Sequence, residues 1–292
     1  MSRADGLIVW LGQGGDGSRA LGGKGASLDR LASLGFRVPP GFCLTTAAFR
    51  AQLAAGTGVS RDASQDPAGL AAGPLVPTIG AALADAVGRL VAELAAARAF
   101  APRFAVRSSA LGEDGTAASY AGLHETELDV APDGVAGAVR RCWDSLWSPA
   151  AVAYRNRREL PPDDAEMAVV VQALVPADAA AVAFTRHPVT GRDDQIVLTA
   201  VRGLGDAMVA GTVTPDTYVV DRASRDVVTF DPGEDPAGPA LEPDALRALV
   251  NLCLEVEARF GQAVDIEAAL AGDTWFLLQA RPITTGAPAP SR

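Results

Sequence analysis

From residue 167 onward the sequence runs strand after strand, and this limits the folds open to the chain. Segments 167–175, 180–185, 195–201 and 217–221 are rich in β-branched residues and bounded by polar or glycine-containing breaks. A Pro-rich loop at 231–243 leads into one helix at about 243–260, and two more strands, 263–270 and 274–281, follow. Before residue 159 strands and helices are mixed instead. That pattern predicts an α+β protein of two lobes with mixed or antiparallel sheets. We read residues 1–170 as an N-terminal lobe, 171–283 as a C-terminal lobe, and 284–292 (TTGAPAPSR) as a tail.

Within the first lobe, 7–11 reads as a short strand, 12–25 as a glycine-dense loop, and 25–34 as an amphipathic helix ending at Gly35. Val38 to Phe42 is extended and leads into a strand. Thr45 or Thr46 caps a helix through Phe49 and Leu53. Residues 55–78 hold few large apolar side chains and read as a mobile loop. A helix at 79–99, a strand at 103–107, a polar loop to about 122, a strand (ETELDV) and a helix (GVAGAVRRCWDSLWS) complete the lobe.

With 25 basic and 35 acidic residues the net charge is −10, which argues against nucleic acid and anionic membrane surfaces as partners. No apolar run approaches the roughly 18 residues needed to span a bilayer. The start of the chain has no basic region or cleavage pattern of a leader, so the expectation is a cytoplasmic protein. Cys43, Cys142 and Cys253 are far apart and form no CxxC, so no structural zinc is expected.

Of the 25 basic residues 24 are arginine, the bias of a GC-rich genome, and one is lysine, Lys24. A lysine retained against that bias points to a need for a compact ammonium rather than a planar fork. It sits in Leu21-Gly22-Gly23-Lys24-Gly25, between a strand and a helix. Glycine N–H groups, a helix N-terminus and a lysine suit a phosphate. The segment is not a Walker A loop, because Gly25 stands where Ser or Thr is required. A plain glycine turn explains the same residues.

Arg107-Ser108-Ser109 follows an apolar strand, and an arginine with two hydroxyls there suits a polyphosphate clamp, or simply an ion pair. In the last hairpin, a turn centred on Asp273 sets Glu267 opposite Gln279 and Asp265 opposite Arg281, all on one face. Glu267 and Gln279 together offer hard oxygens of the kind Mg²⁺ accepts, and Arg281 suits a phosphate. Val264, Ile266, Ala268, Phe276, Leu278 and Ala280 then form the core face, and a one-residue slip would undo the pairing. Neither His124 nor His187 has the context of a catalytic base, and no serine lies in a nucleophile elbow.

The segments LGGKGASLDRLASLGFRVPPGF, FAVRSSALGEDGTAASYAGLHET, VVVQALV, VAFTRHPVTG, GLGDAMVAGTVTPDTYVVDR and DIEAALAGDTWFLLQARPIT occur in this order. Together they resemble the N-terminal ATP-binding domain of the phosphoenolpyruvate synthase, pyruvate phosphate dikinase and rifampin phosphotransferase family, over essentially the whole chain. The resemblance implies an ATP-grasp-like fold with ATP and Mg²⁺ between two lobes. In that family a phosphoryl or pyrophosphoryl group passes to a histidine on a swivelling domain, and then to a small-molecule acceptor, with AMP released. By the same resemblance, Lys24 and Arg107 match the phosphate-binding lysine and arginine. Gly122 and Thr126 match the phosphate-side loop, Gln172 to Leu174 the hinge beside the adenine, Glu267 and Gln279 the metal ligands, and Arg281 the arginine of QARP. Lys24, Arg107 and Arg281 are the catalytic set so implied.

The sequence departs from the family pattern in three places. Asp206 replaces the glutamate of GLGE, the loop after RSSA reads LGEDGTA with Gly115 adding freedom, and the sequence ends at Arg292 without a swivelling histidine motif. The expectation is an ATP-dependent phosphotransferase module whose histidine carrier is a separate swivelling-domain polypeptide. A kinase acting directly on a small molecule and a non-catalytic nucleotide-binding module are the alternatives.

Overall fold

The computed structural model describes residues 6–15, 17–55, 73–98, 101–111, 114–115, 118–119, 126–157 and 166–283. Most of the 55–78 loop, Gly122, His124 and the tail lie outside the described residues. The chain forms two compact units: Met1–Ser33 with Pro39–Leu174, and Leu34–Val38 with Val175–Arg292. The fold class is the expected α+β, with an antiparallel sheet in each unit.

The first unit contains strands β1 (Ile8–Trp10), β2 (Gly41–Leu44) and β3 (Phe104–Ala110), the two-residue strands β4 (Asp114–Gly115) and β5 (Ala118–Ser119), then β6 (Thr126–Val130) and β7 (Met167–Ala173). Its main sheet runs β1-β2-β7-β3-β6, antiparallel throughout. The helices are α1 (Ser18–Ser33), α2 (Thr46–Ala54), α3 (Pro77–Ala97), α4 (Val135–Asp144) and α5 (Pro149–Arg157).

Strand alternation gives this sheet two different faces. Phe42, Phe104, Val106, Val169 and Val171 face a core shared with Phe49 of α2, the Ile79-Leu83-Leu90-Leu94 stripe of α3, and Trp143 of α4. Phe49 meets Trp143 edge-on with ring centroids 5.7 Å apart. Each such large side chain contributes about 1.5–3 kcal/mol by leaving water. The opposite face is crossed by α1, whose Leu21, Leu28 and Leu31 are buried.

A buried acid, Asp29, ties α1 to the loop before it. Its Oδ1 accepts the N–H groups of Gly12 at 2.7 Å and Gly14 at 3.0 Å. Asp29→Ala strands both donors and is expected to cost about 1–3 kcal/mol. Urea unfolding reads this as a lower midpoint at unchanged slope.

The second unit holds β8 (Ala179–Phe184), β9 (Gln195–Arg202), β10 (Asp216–Asp221), β11 (Val227–Asp231), β12 (Val264–Ala271) and β13 (Thr274–Pro282), with helices α6 (Asp206–Val209) and α7 (Pro243–Phe260). Its sheet is antiparallel in the order β11-β10-β9-β8-β12-β13. Ile266, Ala183 and Leu198 share one buried face. Helix α7 buries Leu249, Val250, Cys253 and Val256, and its Ala245 carbonyl accepts the Trp275 indole N–H at 3.0 Å. The Pro-rich loop is held by buried Asp216, which accepts the N–H of Gly233 at 2.7 Å and of Ala240 at 2.6 Å.

Five of these elements are absent from the sequence reading: the short β4, β5 and α6, and also β11 and α5. Strand β11 is exposed at all five residues, so it carries no burial alternation. Helix α5 follows directly on Ser148-Pro149, where the Ser148 hydroxyl accepts the Ala151 N–H at 3.2 Å. Among the described residues no helix is long and apolar enough to cross a membrane.

Candidate functional site

The LGGKG segment is not the open loop expected between strand and helix. Residues 18–33 are helical on both sides of a break at Gly22, where φ is 67° and ψ is −178°. Only glycine suits this position. Its φ is left-handed, and a Cβ there would stand 2.0 Å from the Ser109 carbonyl oxygen. The helix restarts after Gly22, so Lys24 lies in its first turn, where backbone N–H groups lack intrahelical partners. The positive end of the helix dipole is therefore beside the half-buried Lys24.

Arg107 is half-buried on β3, directly opposed by Thr126 on β6 and Val170 on β7. Thr126 is exposed. Strand β3 extends through Ser108 and Ser109, which the sequence reading left in a polar loop. This overturns the two-hydroxyl clamp. Alternation turns Ser108 to the apolar face, where its Oγ is buried without a hydrogen-bond partner. Ser109 shares the face of Arg107, but its hydroxyl is bound to α1: it accepts the Gly25 N–H at 2.9 Å and donates to the Leu21 carbonyl at 2.7 Å.

Gln172 is buried on β7, and its Nε2 donates to the Pro39 carbonyl at 3.3 Å. The N–H groups of Ala173 and Leu174 donate to the Pro40 and Arg103 carbonyls, each at 2.8 Å. A backbone contact from Leu174 to a ligand would therefore use its carbonyl. The chain passes into the second unit immediately after Leu174.

In the second unit the hairpin pairs as the spacing requires: Glu267 opposite Gln279, and Asp265 opposite Arg281. The tip differs. The register shifts between Glu267 and Ala268, so that Ala268 opposes Leu277 and Ala271 opposes Thr274. This bulge reverses the alternation of β13. Trp275 and Leu277 are the buried residues there, while Phe276 and Leu278, expected in the core, are only partly covered.

The polar face is not a free solvent face. Gln279 is 5% exposed and Asp265 8%, while Glu267 is half-buried beside Val182 of β8. Arg281 donates from Nε and Nη2 to Asp265 Oδ2, both at 2.7 Å. Burial pushes the Asp265 carboxyl up, against the pull of Arg281. Two of the guanidinium's donors are thus spent on Asp265.

Removing Arg281 leaves Asp265 a buried carboxylate without this cation. Arg281→Ala is expected to cost about 1–3 kcal/mol at neutral pH. The folded-state pKa of Asp265 already lies above its unfolded value and rises further in the variant. An acid shifted upward gains folded-state stability as pH falls through its folded pKa. The gap between wild type and variant should therefore narrow on acidification, read by urea midpoints across the acidic range.

His187 caps its own turn: Nδ1 accepts the N–H groups of Val189 at 3.3 Å and Thr190 at 3.4 Å. Asp206 is exposed at the start of α6. All three cysteines are buried, and burial pushes the Cys253 thiol up to about 12 and raises Cys43 as well, with Asp29 adding to the latter. Such thiols are poor nucleophiles.

The site residues fall into two groups. Lys24, Arg107 and Thr126 belong to the first unit, whose α1 packs on the face that carries Arg107. Glu267, Gln279 and Arg281 share one face of the second unit's sheet. Among the described residues no three His, Cys, Asp or Glu side chains cluster as a metal site. A carboxylate directly opposite an amide oxygen nevertheless fits Mg²⁺, which is usually held by one or two carboxylates plus substrate phosphates and water. Sequence reasoning missed Asp29 and the role of Ser109. The signal for Asp29 was an acid between Leu28 and Leu31 on a helix that follows a glycine-rich loop.

Residues 18–291 match the family model described as pyruvate phosphate dikinase, AMP/ATP-binding domain. The prodigiosin synthesizing transferase PigC of Serratia marcescens is 37% identical over 91% of this chain and 32% of its own length. A rifampicin phosphotransferase of Streptomyces sp is 36% identical over 94% of this chain and 36% of its own. A phosphoenolpyruvate synthase of Aeropyrum pernix is 31% identical over 95% and 42%. The chain thus spans about a third to two fifths of the length of these curated relatives. Among solved structures, D-alanine-D-alanine ligase from Helicobacter pylori aligns at a TM-score of 0.29 and 10% identity, over 70% of this chain and 53% of that one, too distant to carry an argument.

Proposed function

The chain belongs to the pyruvate phosphate dikinase AMP/ATP-binding domain family, and from that premise we propose that it is a phosphotransferase module using Mg-ATP to phosphorylate a histidine on a separate swivelling-domain protein. The observation that carries the reading is in the first unit. The sole lysine stands in the first turn of a restarted helix, packed on the strand face that presents Arg107.

The roles divide between the units. Lys24 supplies a point charge, and Arg107 a fork, to the transferring phosphates. Thr126, beside Arg107, and Gly122 border the phosphates, while Gln172 to Leu174 serve the adenine. Glu267 and Gln279 hold Mg²⁺, and Arg281, steadied by Asp265, neutralises phosphate charge. Bound Mg²⁺ supplies charge neutralisation at phosphate oxygens. Positioning and electrostatics of this kind do most of the work in phosphoryl transfer, so a nucleophile must still be delivered in line.

A ring nitrogen of the carrier histidine attacks the β phosphorus with its lone pair. The N–P bond forms as the bond from that phosphorus to the α-phosphate oxygen breaks, so AMP leaves with the electron pair and the histidine carries a pyrophosphoryl group. The three relatives carry different printed activities yet share this segment, which supports a common phosphate-donating step with the small-molecule acceptor bound elsewhere.

The test is nucleotide analysis after incubating the pure chain with Mg-ATP. AMP formation only on addition of a swivelling-domain protein supports the reading. Phosphorylation of a small molecule by the chain alone would point to a direct kinase.

A further inference from the structure

The break at Gly22 leaves a helix restart with no cap of its own. Gly22 has no side chain to accept an N–H, and none can be added, because a Cβ would lie 2.0 Å from the Ser109 carbonyl oxygen. Yet a first-turn N–H of the restarted helix, that of Gly25, is paired at 2.9 Å. The acceptor is the Ser109 hydroxyl, 84 residues away in sequence. The same hydroxyl donates at 2.7 Å to Leu21 O, a carbonyl on the other side of the break. One oxygen therefore caps both helical segments from outside. Ser109 is fully buried, so water does not compete for either bond.

This geometry couples the two phosphate candidates of the first unit. Lys24 precedes Gly25 directly. Arg107 lies two residues before Ser109, and strand periodicity sets both on the same face. The close approach at Gly22 and a second one at Gly25, where a Cβ would stand 2.7 Å from Cys43 Sγ, leave α1 little room to slide on the sheet.

We infer that Ser109 is a positioning residue, a cap supplied in trans that fixes the Lys24 turn at one spacing from Arg107 and so sets the grip on the nucleotide's phosphates. It acts through Lys24 rather than by touching the nucleotide. The inference rests on the ATP reading above.

The experiment is a double-mutant cycle on the full chain, reading the dissociation constant for Mg-ATP by calorimetry. Ser109→Ala should weaken ATP binding about tenfold, the loss of a well-placed charge contact. The same substitution in a Lys24→Ala background should change affinity by less than about twofold, because the residue it positions is gone. Ser109→Thr, which keeps the hydroxyl, should restore affinity to within about threefold of wild type. A purely packing role would give equal losses in both backgrounds, and that result overturns the inference, as does wild-type affinity in Ser109→Ala. If Ser109→Ala fails to fold, Ser109→Cys, with a much weaker donor and acceptor, enters the same cycle with the same expectations. Absence of ATP binding by wild type overturns the ATP reading together with this inference. ATP binding by wild type with an additive cycle overturns this inference alone.

Discussion

Lys24→Ala should weaken ATP binding or slow turnover by about 10- to 100-fold while leaving the thermal unfolding transition in place, the range expected for losing a charged hydrogen-bond donor. Arg107→Ala should fall in the same range. Lys24→Arg is the sharper test. Its charge is conserved, but its donors lie in a planar fork on a bulkier head, and the turn holding them is packed against Ser109 and Cys43. Lys24→Arg should therefore recover little of the loss. Wild-type ATP turnover in both alanine variants would sink the assignment of these residues to the phosphates.

Glu267→Gln is expected to have an effect at least as large, confined to conditions with metal. The change keeps the shape of the side chain and removes its charge, and Gln279 opposite supplies only a neutral oxygen. Mg²⁺-dependent ATP binding should drop about 100-fold, whereas metal-free binding should stay within about twofold. Titrations in magnesium and in chelator separate the two. Equal losses in both would mean that Glu267 is not a ligand.

The hairpin shows how much of such a site a sequence exposes. Its polar pairings were expected from period-two alternation and a turn centred on Asp273, and both pairs formed although the turn is not centred there. The bulge that moves Leu277 into the core did not follow, since one extra residue in β13 changes no residue type. The turn closes one residue off the assumed centre, with Ala271 opposite Thr274, and the extra residue of the bulge is what brings Glu267 opposite Gln279 and Asp265 opposite Arg281. The apolar core of the first unit was visible in the same way, through spacing, as in the Ile79-Leu83-Leu90-Leu94 stripe.

The first unit's site was visible by composition and hidden by conformation. A sole lysine among glycines marked the segment, but nothing local says that Gly22 interrupts a helix instead of ending a loop. The reason lies in Ser109, far along the chain, which caps that break. The two serines after Arg107 were misread for the same cause. A hydroxyl next to a candidate phosphate arginine looks like a ligand until the strand is seen to continue and turn one serine to the core. Strand β11 was missed because five exposed residues, Val227 to Asp231, give no alternation to read.

The central claim is that the phosphate leaves this chain for a histidine on another protein. The direct measurement incubates the chain with ATP labelled at the β or the γ phosphate, with and without a candidate swivelling-domain protein, using wild type, His124→Ala and His187→Ala. His187 already spends Nδ1 on its own turn. The account predicts label on the added protein, equal transfer by all three forms of the chain, and no stable label on the chain alone. Stable labelling of the isolated chain, abolished by either alanine substitution, would contradict it.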